Sequence, residues 1–149
     1  MADHATTATA AQPLTVRIVT PEAMVFDGRA EVVVVPSHDG ETAFLRGHAA
    51  FVGLLGTGEL RFETVAGTEH HFLQGGVVQV VDDVVTVLAE SVIPVSALRA
   101  DKAQADVEEA NRMPGLTDEQ HDRRTLALRA ARVKLRLATK AGGGVPAAH

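Results

Sequence analysis

One change of period divides this chain. Up to Pro94 apolar residues recur mainly every second position, and after it they recur at helical steps of three and four. A strand buries alternate side chains and a helix buries a stripe, so one chain with both patterns in succession makes a β unit followed by a helical unit. The expected class is α+β, an all-β sandwich followed by an antiparallel two-helix hairpin. The expected boundaries are a tail over 1–12, the sandwich over 13–94, the hairpin over 95–140 and a second tail over 141–149.

In the first part Leu14, Val16 and Ile18 alternate with Thr15, Arg17 and Val19 until Pro21. Met24-Val25-Phe26 reads as a short strand closed by an Asp27-Gly28 turn. Val32 to Val35 are four consecutive valines, which predict a strand buried on both faces until Pro36 breaks it. Gly40 to Ala50 is expected to be a partner-facing loop, with Phe44 and Leu45 beside His48 as its docking edge. Gly56-Thr57-Gly58 is expected to turn, and Glu59, Arg61 and Glu63 to form an outward charged face. Gly75-Gly76 suggests a bulge or tight corner, and Asp82-Asp83 a two-residue hairpin connection. Strands about ten residues apart with such signals between them suit a sandwich or barrel.

In the second part Ser96 is the expected N-cap, with Ala100, Ala103, Val107 and Ala110 as the apolar face. Met113-Pro114-Gly115 ends that helix. Thr117-Asp118-Glu119-Gln120 fits a capping box for the next, which should run to about Lys140. Leu126, Ala130, Val133 and Leu137 form one stripe, Leu128, Ala131 and Leu135 a second, and Arg129, Arg132, Arg136 and Lys140 a basic third. An alanine seam buries far less area than a leucine seam, at roughly 25 cal/mol per Å2. The hairpin is therefore expected to leave its place readily.

Charge supports the division. The chain carries −5 overall, yet residues 1–95 hold four Lys/Arg against twelve Asp/Glu, and residues 96–149 hold ten against seven. All five Phe lie in the acidic part, so the pairing of basic and aromatic residues expected of a nucleic-acid surface is missing. No cysteine is present, which excludes disulfides and thiolate metal sites. His70 and His71 are neighbours and face opposite ways on a strand, so both are expected at the surface and not as metal ligands. Neither a serine elbow nor a phosphate loop is found, and no catalytic residue is expected. The absence of a basic leader or a long apolar run predicts a soluble protein.

The order of local motifs resembles the epsilon subunit of the F-type ATP synthase. Phe26-Asp27-Gly28 is similar to that family's Phe-x-Gly. Gly40-Glu41 to His48-Ala49 is similar to its Gly-Glu-Leu-Gly-Ile-x-Pro-Gly-His-Ala-Pro. Gly58-Glu59-Leu60-Arg61, Leu73-Gln74-Gly75-Gly76 and Val84 to Glu90 follow at the right places. Both loop prolines are replaced, by Arg46 and Ala50, which implies a looser loop.

The resemblance implies a non-catalytic rotor subunit at the cytoplasmic face of the bacterial cell membrane, peripheral and not inserted. Its sandwich would meet the gamma subunit and the membrane c-ring, the latter through Glu41, Phe44, Leu45, Arg46 and His48. Its hairpin would inhibit ATP hydrolysis when extended towards the alpha and beta subunits, using Arg129, Arg132 and Arg136. Some bacterial members bind ATP through Ile/Leu-Asp-x-x-Arg-Ala and arginines on the second helix. Here Arg99 and Ala100 carry over, but Ser96 replaces the Asp, and Ala130 and Lys134 stand at the arginine positions. That implies weak ATP binding or none, and no other cofactor. A free-standing binding module with a dimerising hairpin would explain the fold too, but not the ordered motifs.

Overall fold

A computed structural model describes residues 13–143; the tail expected over 1–12 lies outside the described residues, as do residues 144–149 of the one expected over 141–149, whose first three residues instead continue the last helix. Seven strands come first: β1 (Leu14–Val19), β2 (Met24–Ala30), β3 (Val32–Ser37), β4 (Gly40–Leu45), β5 (Phe51–Thr64), β6 (Gly67–Val81) and β7 (Val84–Pro94). A 3-10 turn at Val95–Ala97 leads to α1 (Ala100–Asn111) and α2 (Asp118–Gly143).

The strands form one continuous sheet in the order β2-β1-β7-β6-β5-β3-β4. Neighbours are antiparallel except β1 and β7, which run parallel from Thr15↔Val84 to Val19↔Leu88. This sheet folds over itself into a sandwich. Phe26 on β2 meets Phe62 on β5, centroids 4.6 Å apart, although four steps of the sheet separate those strands.

Inversions of side-chain parity make the fold possible. On β5 the core residues are Leu55 and then Leu60 and Phe62. On β6 they are Leu73 and then Val78 and Val80. Each strand thus switches its inward parity, at Gly56–Gly58 and at Gly75-Gly76. Gly75 has φ +66 and Gly76 φ +120, and a Cβ on Gly76 would stand 2.1 Å from the Leu88 carbonyl oxygen. The backbone bends there and lies directly on β7, which only glycine permits. The register to both neighbours is kept across this point, so it is a corner and not a bulge.

Several expectations change accordingly. Gly56-Thr57-Gly58 is no turn but the bend of a continuous β5. Gly28 sits within β2 opposite Val16; the Phe26 ring covers it so closely that a Cβ would be 2.9 Å from Cζ. The valine run buries only Val33 and Val35 fully, and Pro36 remains in the strand as the partner of Glu41. Gly40–Leu45 is an edge strand, leaving only residues 46–50 as loop. At Asp82-Asp83 both residues have positive φ, +49 and +63, and Val81 pairs with Val84, the two-residue connection the sequence predicts.

The capping box forms as expected. The Gln120 N–H donates to Thr117 Oγ1 at 3.1 Å and the Thr117 N–H to Gln120 Oε1 at 3.2 Å. Ser96 does not cap α1, because it lies in the 3-10 turn and Arg99 holds the N-cap position without a side-chain bond. Ala103 and Ala110 are the buried residues of α1. On α2, Ala130, Val133 and Leu137 pack on Phe72 of β6, with Ile93, Val95 and Leu98 around them. Leu126 lies beyond this seat and is 56% exposed. The hairpin therefore rests folded on the sandwich, through one ring and a few aliphatic groups.

His71 is a correction of its own. It is buried, stacked on Phe62 at 5.6 Å, and its Nδ1 has no hydrogen-bond partner among the described residues. Burial pushes this imidazole below its ordinary value of 6.5, more than nearby Glu69 raises it. The folded state then holds fewer protons here than the unfolded state once the pH drops below about 6.5. Stability from this group is intact above that pH and declines as the solution is acidified through it. Urea unfolding at pH 7.5 and 5.0 should show the loss, and His71→Phe should reduce it.

Candidate functional site

The residues expected to act together fall into three places. The first is the end of the sandwich after β4. Phe44 is fully buried against Val33 of β3 and belongs to the core, so it is not the docking edge expected of it. Period two explains this: on an edge strand every second residue points inward. Leu45, Arg46 and His48 are exposed. The His48 ring stands edge-on to Phe44 at 5.0 Å and to Phe51 at 6.1 Å. The ring Nδ1 is 2.7 Å from the Ala49 carbonyl, and the His48 main-chain N–H donates to the Leu45 carbonyl at 3.1 Å. Phe44 thus supports the loop from below.

Glu41 is four residues up the same strand, about 13 Å from Leu45 at strand rise. Its carboxylate accepts from both Nη atoms of Arg61, at 2.9 and 3.3 Å. This bidentate bond holds the Arg61 guanidinium above its usual range. Glu59 is 3.8 Å from the same guanidinium and 2.7 Å from His70 Nδ1.

The second place is the basic face of α2. Arg129, Arg132 and Arg136 are all exposed, but they do not share one environment. Arg129, Arg136 and Lys140 line a cleft of about 580 Å3 whose other wall includes Pro36, Glu41 and Glu59. Arg132 is not among the residues lining it. Helical geometry makes the split: at 100° per residue, positions 129, 136 and 140 cluster more tightly than 132 joins them. Glu41 and the hairpin arginines, distant in sequence, therefore border one cleft.

The third place surrounds Arg99. Its guanidinium bonds Asp101 twice, at 3.2 and 3.0 Å, and this pairing holds the Asp101 carboxyl below the usual carboxylate range. Arg99, Leu98, Lys102, Asp106 and Lys134 border a cavity of about 140 Å3. Small-molecule sites span roughly 300–1,000 Å3. Ala130 is buried in the hairpin seat, and Lys134 Nζ lies over the Phe72 ring at 5.2 Å. These residues are a poor fit to a nucleoside triphosphate: the space is small, no arginine stands at Ala130 or Lys134, and Asp106 opposes phosphate.

No helix among the described residues is long and apolar enough to cross a membrane. Sequence reasoning missed one anchor. Asp83, read only as a turn residue, accepts the Gly47 N–H on Oδ1 at 2.7 Å and pairs with Arg46 at 3.4 Å. A contact across 36 residues leaves no local signal.

Known proteins are similar in sequence and in fold. The family model of the ATP synthase delta/epsilon chain β-sandwich domain matches residues 13–95. An ATP synthase epsilon chain of Rhodopirellula baltica is 45% identical over 119 residues, which cover 80% of this chain and 93% of that one. At 19% and 18% identity, two solved chains share the fold. One is from the Euglena gracilis mitochondrial ATP synthase OSCP/F1/c-ring structure, with TM-score 0.72 over 80% of this chain and 78% of that one. The other is from the Tetrahymena thermophila mitochondrial ATP synthase central stalk/c-ring structure, with TM-score 0.68 over 85% and 97%. With more than half its length matched by the family model and 45% identity to a bacterial relative over 80% of the chain, this chain belongs to the ATP synthase epsilon chain family, whose members are non-catalytic subunits of that complex.

Proposed function

We propose that this chain sits on the central rotor of a bacterial F-type ATP synthase, between the gamma subunit and the membrane c-ring, and passes rotation through that joint. The observation that supports this best is an apolar row on the outer face of the sheet. Leu54, Val77 and Leu88 are register partners across β5, β6 and β7, and Val19 of β1 continues the row beside Leu88. Leu54 is 65% and Leu88 50% exposed, and Val52 beside them is 67% exposed. A contiguous apolar row left open to water on a well-packed sheet marks a protein interface. The gamma subunit is its occupant in this reading.

The ring-facing end is the loop carrying Leu45, Arg46 and His48, with Glu41 further along the same edge and Phe44 as internal support. The hairpin is the brake. Folded on Phe72 it permits hydrolysis; extended, it offers Arg129, Arg132 and Arg136 to acidic segments of the beta subunits. The chain is then peripheral at the cytoplasmic face of the membrane, held there by its partners.

The pair Leu54→Glu and Leu88→Glu tests the gamma interface. Exposed positions tolerate charge, so the unfolding free energy should stay within about 0.5 kcal/mol of the unmodified chain's for each change. The unmodified chain should co-purify with gamma and the double variant should not. Recovery of the unmodified chain as a self-dimer without gamma would support a free-standing binding module instead.

A further inference from the structure

We propose that Asp83 is a positioning residue for the ring-facing loop, a role that rests on the reading of that loop given above. Asp83 joins three segments. Its main-chain carbonyl accepts the Thr15 N–H at 2.9 Å, which fixes the start of β1 to the β6–β7 hairpin. Its Oδ1 accepts the Gly47 N–H at 2.7 Å, and its Oδ2 lies 3.4 Å from Arg46 Nη1. One carboxylate thus holds two consecutive residues of the loop, one by the backbone and one by the side chain.

The loop needs such a hold. Residues 46–50 form no ladder, and Gly47 has φ +86 with nothing within 4 Å of where a Cβ would stand, so beyond the His48 N–H bond to the Leu45 carbonyl and the His48 ring contacts little packing fixes the loop at Gly47. A charged acceptor on a backbone N–H is among the stronger single hydrogen bonds available. It limits the same segment from outside. Asp83 itself is well suited to the post. With φ +63 in a two-residue turn, it points its carboxylate out of the hairpin, and its main chain is fixed on both sides by the Val81↔Val84 pair and by Thr15.

Arg46 is changed in meaning by this contact. Its guanidinium is about half exposed, with one side directed at Asp83. It serves the loop's shape as well as the surface that the loop presents.

The test compares Asp83→Gly with Asp82→Gly in the full chain. Glycine suits the positive φ at both positions, so each variant keeps the turn, and only the first removes the carboxylate. Amide hydrogen exchange in the isolated chain should show the Gly47 N–H exchanging about tenfold faster or more in Asp83→Gly, with Val85 and Val87 unchanged. Asp82→Gly should leave Gly47 as it is. Asp83→Asn, which keeps an oxygen acceptor but no charge, should fall between them. The same variants are then bound to a c-ring–gamma assembly lacking epsilon, where Asp83→Gly should bind about tenfold more weakly and Asp82→Gly as the unmodified chain does.

Unchanged Gly47 exchange in Asp83→Gly overturns the hold. Faster exchange with undiminished binding overturns the positioning role. If the unmodified chain itself fails to bind the assembly, the rotor reading fails while the exchange result still decides whether Asp83 holds the loop.

Discussion

Replacing Phe72 by Ala should free the hairpin while leaving the sandwich folded. Phe72 is fully buried, yet it belongs to the cluster with Ala130, Val133 and Leu137 and not to the sandwich core. Its removal takes the one aromatic ring from an interface otherwise made of aliphatic contacts, and Lys134 loses the ring beneath its ammonium. Phe→Ala changes at buried sites cost about 3–5 kcal/mol. At about 1.4 kcal/mol per decade, amides of α2 should exchange roughly two to four orders of magnitude faster. Amides of β1, whose Leu14, Val16 and Ile18 face the other core, should keep their rates. Equal acceleration in β1 and α2 would mean that hairpin and sandwich open as one unit.

Gly76→Ala should be the most damaging single methyl in the protein. The new Cβ would approach the Leu88 carbonyl oxygen to 2.1 Å and the Ala89 Cα to 2.7 Å, both main-chain atoms that no rotamer change can move. It would also place a side chain at φ +120. Backbone strain of about 1–3 kcal/mol and overpacking of similar size add to roughly 2–6 kcal/mol. A domain holds about 5–15 kcal/mol in all, so a large loss of folded protein at 37 °C is expected. Gly67→Ala is the control. Gly67 also has positive φ, at +133, but nothing lies within 4 Å of its added Cβ. Only the strain should register there, and denaturant unfolding of the two variants separates collision from strain.

The same residues show what could be read from the sequence and what could not. β1 was legible because its alternation is strict, and Leu14, Val16 and Ile18 are all fully buried as it demands. The Thr117–Gln120 box and the Asp82-Asp83 turn were legible because each is a local bonding pattern with its own residue signature. The glycine corner was only half legible. Glycine marks a special backbone, but whether the chain reverses or merely bends depends on β7 lying against it, which is a long-range fact. Phe44 and His71 failed for a related reason. A motif suggested exposure for one and polarity suggested it for the other, while parity along β4 and β6 turned both inward.

The functional places divide the same way. Arg129, Arg132 and Arg136 were visible as a stripe, yet helical rotation turns two of them to the cleft beside Glu41 and leaves Arg132 out of it. Asp83's hold on Gly47 and Arg46 and the parallel pairing of β1 with β7 exist only once the sheet is assembled. Conversely, Arg99 keeps its place in the sequence pattern and is paired in the fold with Asp101 two residues away.

The most direct measurement is ATP hydrolysis by a gamma-containing catalytic complex depleted of its epsilon subunit, with this chain added back. The unmodified chain should bind and slow hydrolysis. A variant with Arg129, Arg132 and Arg136 all changed to Ala should bind as well and slow it much less, since the sheet face is untouched. Equal slowing by both chains would contradict the arginine brake, and failure of the unmodified chain to bind would contradict the rotor reading itself.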